Sequence, residues 1–145
     1  MMSGRYINLT ENRVDEETHI DLVELSDHAQ VVYAVRRLTA QMGFDENQQF
    51  LIATAASEAS TNIIRYAGRG KVTLRTVRKE GREGIEIVAR DEGPGIESIE
   101  EAMTEGFSNG KGLGLGLSSI RRIMDEFDIQ SKPGGGTRIV TRKWR

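Results

Sequence analysis

Apolar and polar residues alternate from His19 to Leu25 in HIDLVEL, the period of a strand with one buried face. Ser26 follows where an N-cap would open a helix. In SDHAQVVYAVRRLTAQMGF, Val31, Val32, Val35, Leu38 and Met42 recur at helical spacing, and Gly43 supplies the stop. A second, alanine-rich helix is predicted from Asp45 or Asn47 to the glycines at 68 and 70. The period then changes to two: KVTLRTVRK and GIEIVARD alternate across the glycine-containing loop EGREG, an antiparallel hairpin. After the turn DEGPGI, a short helix is expected near Ser98 to Glu105, then a glycine-rich run. A further helix, LSSIRRIMDEF, has Ile120, Ile123, Met124 and Phe127 as its apolar positions. FDIQSK and TRIVTRKW, joined by PGGG, make a closing hairpin. Helices grouped between runs of antiparallel strands predict an α+β sandwich with helices on one face of the sheet. Residues 1–17 are assigned at most an edge strand, and 18–145 are read as one domain.

Composition narrows the chemistry. The chain has 145 residues, no cysteine and two histidines, His19 and His28, so disulfides, thiol catalysis and a conventional zinc site are excluded. Twenty basic and 22 acidic residues are spread throughout, for a formal charge of −2, which provides no footprint for nucleic acid. No apolar run is long enough for a membrane span, and the polar start lacks the apolar centre of a signal peptide. A cytoplasmic protein with protein or small-molecule partners is the expectation.

The run GKGLGLGLSS, from Gly110 to Ser119, removes side chains at every second position just before a helix. It is not a P-loop, because Glu105 stands where the first glycine would be and Gly112 follows Lys111. Nor is it a dinucleotide fingerprint, since Leu115 or Leu117 occupies the third glycine's place. Gly112, Gly114 and Gly116 can still expose consecutive amides ahead of a helix N-terminus, and Lys111 can add a mobile positive charge. Leu113, Leu115 and Leu117 would pack such a loop down as a lid over an anion. By itself the run would also suit an ordinary flexible loop.

Two other groups share the chain. Glu58 and Asn62 lie four apart on the second helix, hence on one face, with Thr54 extending the stripe. An asparagine oxygen suits Mg²⁺, and a glutamate can accept a proton from a hydroxyl. A solvated polar stripe has the same spacing. In ARDEGPGI, Asp91 ends a strand and is followed by the sharp turn of Gly93, Pro94 and Gly95. A carboxylate there can accept an N–H from an exocyclic amine such as adenine's, though the same residues also build plain turns.

Taken in order, Glu58 and Asn62, then Asp91 with Gly93 and Gly95, then Gly112, Gly114 and Gly116, then Gly136-Thr137, resemble the four boxes of the GHKL superfamily of Bergerat-fold ATP-binding domains. The resemblance runs from about Ile52 to Thr137. It implies an α/β sandwich holding ATP between helices and sheet. Asn62 would ligate Mg²⁺, Asp91 would read the adenine amine, Gly93 and Gly95 would shape the pocket, and Thr137 would support Asp91. The glycine run with Lys111 and Leu117 would line the triphosphate. SEASTNIIRYAGRGKV, GFSNGKGLGLGLSSIRRIMDEF and GGGTRIVTRKWR further resemble the small serine/threonine kinases related to anti-sigma factors, in particular switch kinases of stressosome pathways. That likeness implies Glu58 as catalytic base and a STAS-domain protein as substrate, with activation of a PP2C-type phosphatase as a second role. Anti-sigma members usually carry histidine four residues after the asparagine, where this chain has Tyr66. The alternatives left are an anti-sigma factor that sequesters a sigma factor and a nucleotide-binding protein without activity.

Overall fold

The computed structural model describes residues 13–103 and 116–145. Five strands form one sheet: β1 (Arg13–Leu22), β2 (Gly70–Lys79), β3 (Arg82–Asp91), β4 (Glu126–Ser131) and β5 (Thr137–Trp144). Their order is β1-β2-β3-β5-β4, and every neighbouring pair is antiparallel. Helices α1 (His28–Met42) and α2 (Glu46–Ala67), with the short α3 (Ile99–Ala102) and α4 (Leu117–Ile123), complete an α+β architecture.

Local chemistry sets the element ends. Asp45 caps α2, its Oδ1 accepting from Gln48 N at 2.7 Å. Gly43 ends α1 in the left-handed region at φ 88°, a conformation that costs glycine little. The expected cap of the first helix is Ser26, but the N-cap position falls to Asp27, whose side chain makes no capping bond to the helix and reaches back along the chain instead. Its Oδ2 accepts Val23 N and Glu24 N at 2.8 and 3.0 Å, which holds its carboxyl below the ordinary range. That capture turns the chain out of the sheet through a 3-10 turn at Leu25–Asp27. The first strand therefore ends at Leu22 rather than Leu25, and Val23 and Leu25 are exposed.

The last helix also differs from its pattern, ending at Ile123 instead of Phe127. Asp125 N donates to Arg142 O at 2.9 Å, and Asp125 Oδ2 accepts from Trp144 N at 2.8 Å. These bonds draw the next residues into β4, where Phe127 pairs with Thr141. Sheet pairing outcompetes one more helical turn. α3, capped by Ser98, closes at Ala102, and its expected end at Glu105 lies outside the described residues.

The core fills the space between sheet and helices. Ile20, Leu22, Val72, Leu74, Ile85, Ile87, Ala89, Ile129 and Ile139 face Val31, Val35, Leu38, Ile52, Ile63, Leu117 and Ile120. Ala55, Ala56 and Ala59 on α2 bring that helix close to the strands, which matters because α2 carries the candidate site. On the opposite face, Glu17, Arg75, Glu86, Arg142 and Glu126 form one transverse row of alternating charge across all five strands. Its centre, Glu86, is fully buried, with Oε2 2.8 Å from Arg142 Nε and Nη2 and Oε1 3.3 Å from Arg75 Nε.

Candidate functional site

The helical period of α2 turns Ala55, Ala56, Ala59 and Ile63 into the core and leaves Glu58 and Asn62 half-buried along its border. Thr54, on the same stripe, spends its hydroxyl on Phe50 O at 2.9 Å. Glu58 lies against the start of α4. A Cβ on Gly116 would collide with Glu58 Oε2 and stand 3.0 Å from its Cβ, so the residue that opens α4 must be small for the carboxylate to keep this place. One turn on, the Asn62 side-chain N–H₂ is buried without a hydrogen-bond partner. Such a group costs folding energy unless something else receives it.

Asp91 reaches the same region from the C-terminal end of β3. Its carboxylate accepts Gly93 N at 2.9 Å and the Thr137 amide. Burial nevertheless pushes its pKa above the usual carboxylate value, with those two N–H bonds opposing the shift. Gly93 and Gly95 are required by proximity. A Cβ at Gly93 would lie 2.6 Å from Ala67 Cβ, and one at Gly95, where φ is 77°, would strike Lys132 O. The two hairpin ends are tied together by Gly134 N donating to Pro94 O at 2.7 Å and Gly136 N donating to Gly93 O at 3.1 Å. Thr137, register partner of both Asp91 and Ser131, bonds through its hydroxyl to Ser131 Oγ at 2.8 Å.

These groups converge on a small cavity of about 30 Å³, bordered by Asn62, Tyr66, Asp91 and Thr137 among apolar walls that include Ala59, Ile63, Ile96 and Leu117. Burial raises the Tyr66 hydroxyl pKa, and the Arg65 charge opposes that rise. Asp91 and Thr137 also border a wide groove of about 1490 Å³, whose charged lining includes Arg69, Lys71, Arg90, Lys132 and Arg138 together with Asp21 and Glu92. The pair thus borders both a mostly apolar cavity and a charged groove. Of the residues singled out in the sequence, Asn62, Asp91, Gly95, Leu117 and Thr137 border the small cavity. Gly93 packs beside it, and Glu58 with Gly116 sits one turn away along α2. Lys111, Gly112 and Gly114 lie outside the described residues. Sequence reasoning missed Ser131. Ser131 falls within the closing hairpin that the pattern predicts, but nothing local marked its hydroxyl.

The model of the histidine kinase-like ATPase domain matches residues 23–143. The chain belongs to that family. The chain is similar to a curated relative from Bacillus subtilis (strain 168), "Serine/threonine-protein kinase RsbT". It is 43% identical over 109 residues, 75% of this chain and 82% of the relative. The "Anti-sigma F factor" of Caldanaerobacter subterraneus subsp. tengcongensis is 36% identical over 99 residues, 64% of this chain and 68% of the relative. The histidine kinase domain of a blue-light activated histidine kinase from Erythrobacter litoralis EL346 has the same fold. Its TM-score is 0.51 at 18% identity, over 82% of this chain and 59% of that one. This histidine kinase-like ATPase domain is therefore a homologue of a serine/threonine kinase and of anti-sigma factors, with the GHKL-type fold that its motifs led one to expect. Among its described residues no helix is long and apolar enough to cross a membrane.

Proposed function

We propose that this chain is an ATP- and Mg²⁺-dependent serine/threonine protein kinase that phosphorylates a STAS-domain regulator in a cytoplasmic, stressosome-type partner-switching pathway. The observation that carries the reading is Glu58, held against Gly116 one helical turn from the unpartnered side-chain N–H₂ of Asn62, in a chain 43% identical over 109 residues to the Bacillus subtilis kinase.

The residues present fit the groups this reading requires. Asp91 offers a carboxylate to an exocyclic amine, Gly93 and Gly95 keep the adjoining turn close to the cavity, and Thr137 buttresses Asp91. Lys111, Gly112, Gly114, Gly116 and Leu117 would border the phosphates. The cavity, about 30 Å³, is far smaller than a purine and would take only part of a base. Among the described residues no group of three acidic, histidine or cysteine side chains could hold a metal by itself. Mg²⁺ takes few protein ligands and fills its shell with phosphate oxygens and water. Asn62 would supply the protein oxygen, and the ion, when bound, neutralises phosphate charge. Glu58 orients the incoming serine or threonine hydroxyl and takes its proton on the side-chain carboxylate.

The decisive variant is Glu58→Gln, which keeps size and hydrogen bonding but cannot take the proton. With Mg²⁺, ATP and a co-purified STAS partner, phosphoserine or phosphothreonine formation should fall about 10²- to 10⁴-fold while ATP affinity holds. Undiminished transfer by the variant removes Glu58 from the mechanism.

A second reading, an anti-sigma factor, is favoured by the 36% identity to an anti-sigma F factor. Recovery of a sigma factor on the tagged protein from lysate supports it. Recovery of a STAS protein, or of a PP2C-type phosphatase that the chain would also activate, supports the switch kinase.

A further inference from the structure

Ser131, on β4 outside every motif discussed so far, has a hydroxyl whose three neighbours account for its whole bonding capacity. Ile96 N donates to Ser131 Oγ at 2.8 Å, Gly136 O accepts from it at 2.9 Å, and Thr137 Oγ1 lies 2.8 Å away. A serine hydroxyl has one proton and two lone pairs. The Ile96 amide can only donate, and the Gly136 carbonyl can only accept. With one lone pair and the proton committed, the bond to Thr137 uses the second lone pair, and Thr137 is its donor. The reverse direction would take the proton away from the Gly136 carbonyl and leave a serine lone pair unused.

We infer that Ser131 fixes the direction of the Thr137 hydroxyl proton and thereby makes the base pocket select adenine over guanine. The inference rests on the nucleotide reading proposed above and names a specificity-determining residue for it. With its proton turned toward Ser131, Thr137 Oγ1 presents only lone pairs to the cavity that it borders with Asp91. The Asp91 carboxylate is likewise an acceptor and is already supplied with donors by Gly93 N and the Thr137 amide. Two acceptors on one wall match the amine of adenine and oppose the carbonyl oxygen that guanine carries at that position. A threonine free to rotate would donate to that oxygen and erase part of the discrimination. Ser131 also receives the amide that follows Gly95, so it holds the turn and the hydroxyl in one register.

The test is equilibrium binding of Mg-ATP and Mg-GTP to the full chain. Wild type should prefer ATP. Ser131→Ala should narrow the ATP-to-GTP ratio by roughly five- to tenfold, the worth of one neutral hydrogen bond turned from mismatch to match. Ser131→Thr, which keeps the hydroxyl, should hold the wild-type ratio. Should the alanine variant fail to fold by thermal melt, Ser131→Cys, a near-isostere with weak bonding, must narrow the ratio in the same direction. An unchanged ratio in a folded alanine or cysteine variant overturns the inference. Asp91→Asn separates the two levels: if it binds ATP like wild type, the nucleotide reading falls and the inference with it. If it loses ATP while Ser131→Ala keeps the ratio, only the role of Ser131 falls.

Discussion

Replacing Gly116 by alanine should separate stability from catalysis. Gly116 has φ −93° and ψ −22°, an ordinary helical conformation, so alanine incurs no backbone strain there. Alanine also loses less chain entropy, a gain of up to about 1 kcal/mol where a helical glycine is replaced, less at a cap. The new methyl group, however, overlaps Glu58 Oε2 and presses on Glu58 Cβ and Cδ at 3.0 and 3.1 Å. Ordinary contact begins near 3.4 Å, so the carboxylate must withdraw by about an ångström. A glutamate tip can swing away at little cost, whereas a misplacement of that size in a reacting group costs on the order of 10²-fold in rate. The expected result is a melting temperature equal to or slightly above wild type, ATP affinity nearly unchanged, and phosphate transfer to the STAS partner reduced about 10²-fold. Thermal unfolding, calorimetric titration with ATP and single-turnover transfer from labelled ATP measure the three quantities. Transfer at the wild-type rate in a folded Gly116→Ala variant would refute the premise that Glu58 acts from the position it holds against α4.

Other perturbations follow from burial. Glu86→Gln removes the central charge between Arg75 and Arg142 and should cost about 3 kcal/mol in denaturant unfolding. Glu83→Gln, at the exposed pair with Arg78, should cost under about 1 kcal/mol. Burial raises the Asp128 pKa, with Arg138 and Gln130 opposing, so ionisation weakens the fold. Stability from this group is complete below its ordinary value of 3.8 and is lost as pH rises through the higher folded value. Asp128→Asn should thus raise the melting temperature near pH 7, with the difference vanishing toward pH 4. Gly95→Ala combines a left-handed φ of 77° with a collision against Lys132 O, and a loss of about 2 kcal/mol or more is expected by chemical denaturation.

Much of the fold was readable because its signals are short-ranged. The period-two runs in β2, β3 and β5, the helical spacing of Val31, Val35 and Leu38, and the stops at Gly43 and Gly68 each span a few residues. Where pattern and structure parted, a distant partner intervened. Phe127 continues the apolar stripe of α4, but the Asp125 bonds to β5 place it in a strand. Val23 and Leu25 prolong the apolar run of β1 on the opposite phase, and Asp27 takes the amides that would have extended the strand. In the site, Glu58 and Asn62 were legible from helical spacing and Asp91 from its place before a glycine turn. Ser131 was not, because one serine near a strand end has no local signature until three separate segments close around its hydroxyl.

The sequence by itself determined the element types, the residue kinds available for chemistry and the order of the motifs, since helical and strand periodicity and glycine stereochemistry act over a handful of neighbours. Only the tertiary structure decided that β5 lies between β3 and β4, which sets Asp91 beside Thr137, and that α4 begins against Glu58. Those choices minimise exposed apolar surface and unpaired polar groups over the whole chain at once. No stretch of a few residues contains that balance, and the cavity wall shared by Asp91, Thr137 and Ser131 exists only as its result.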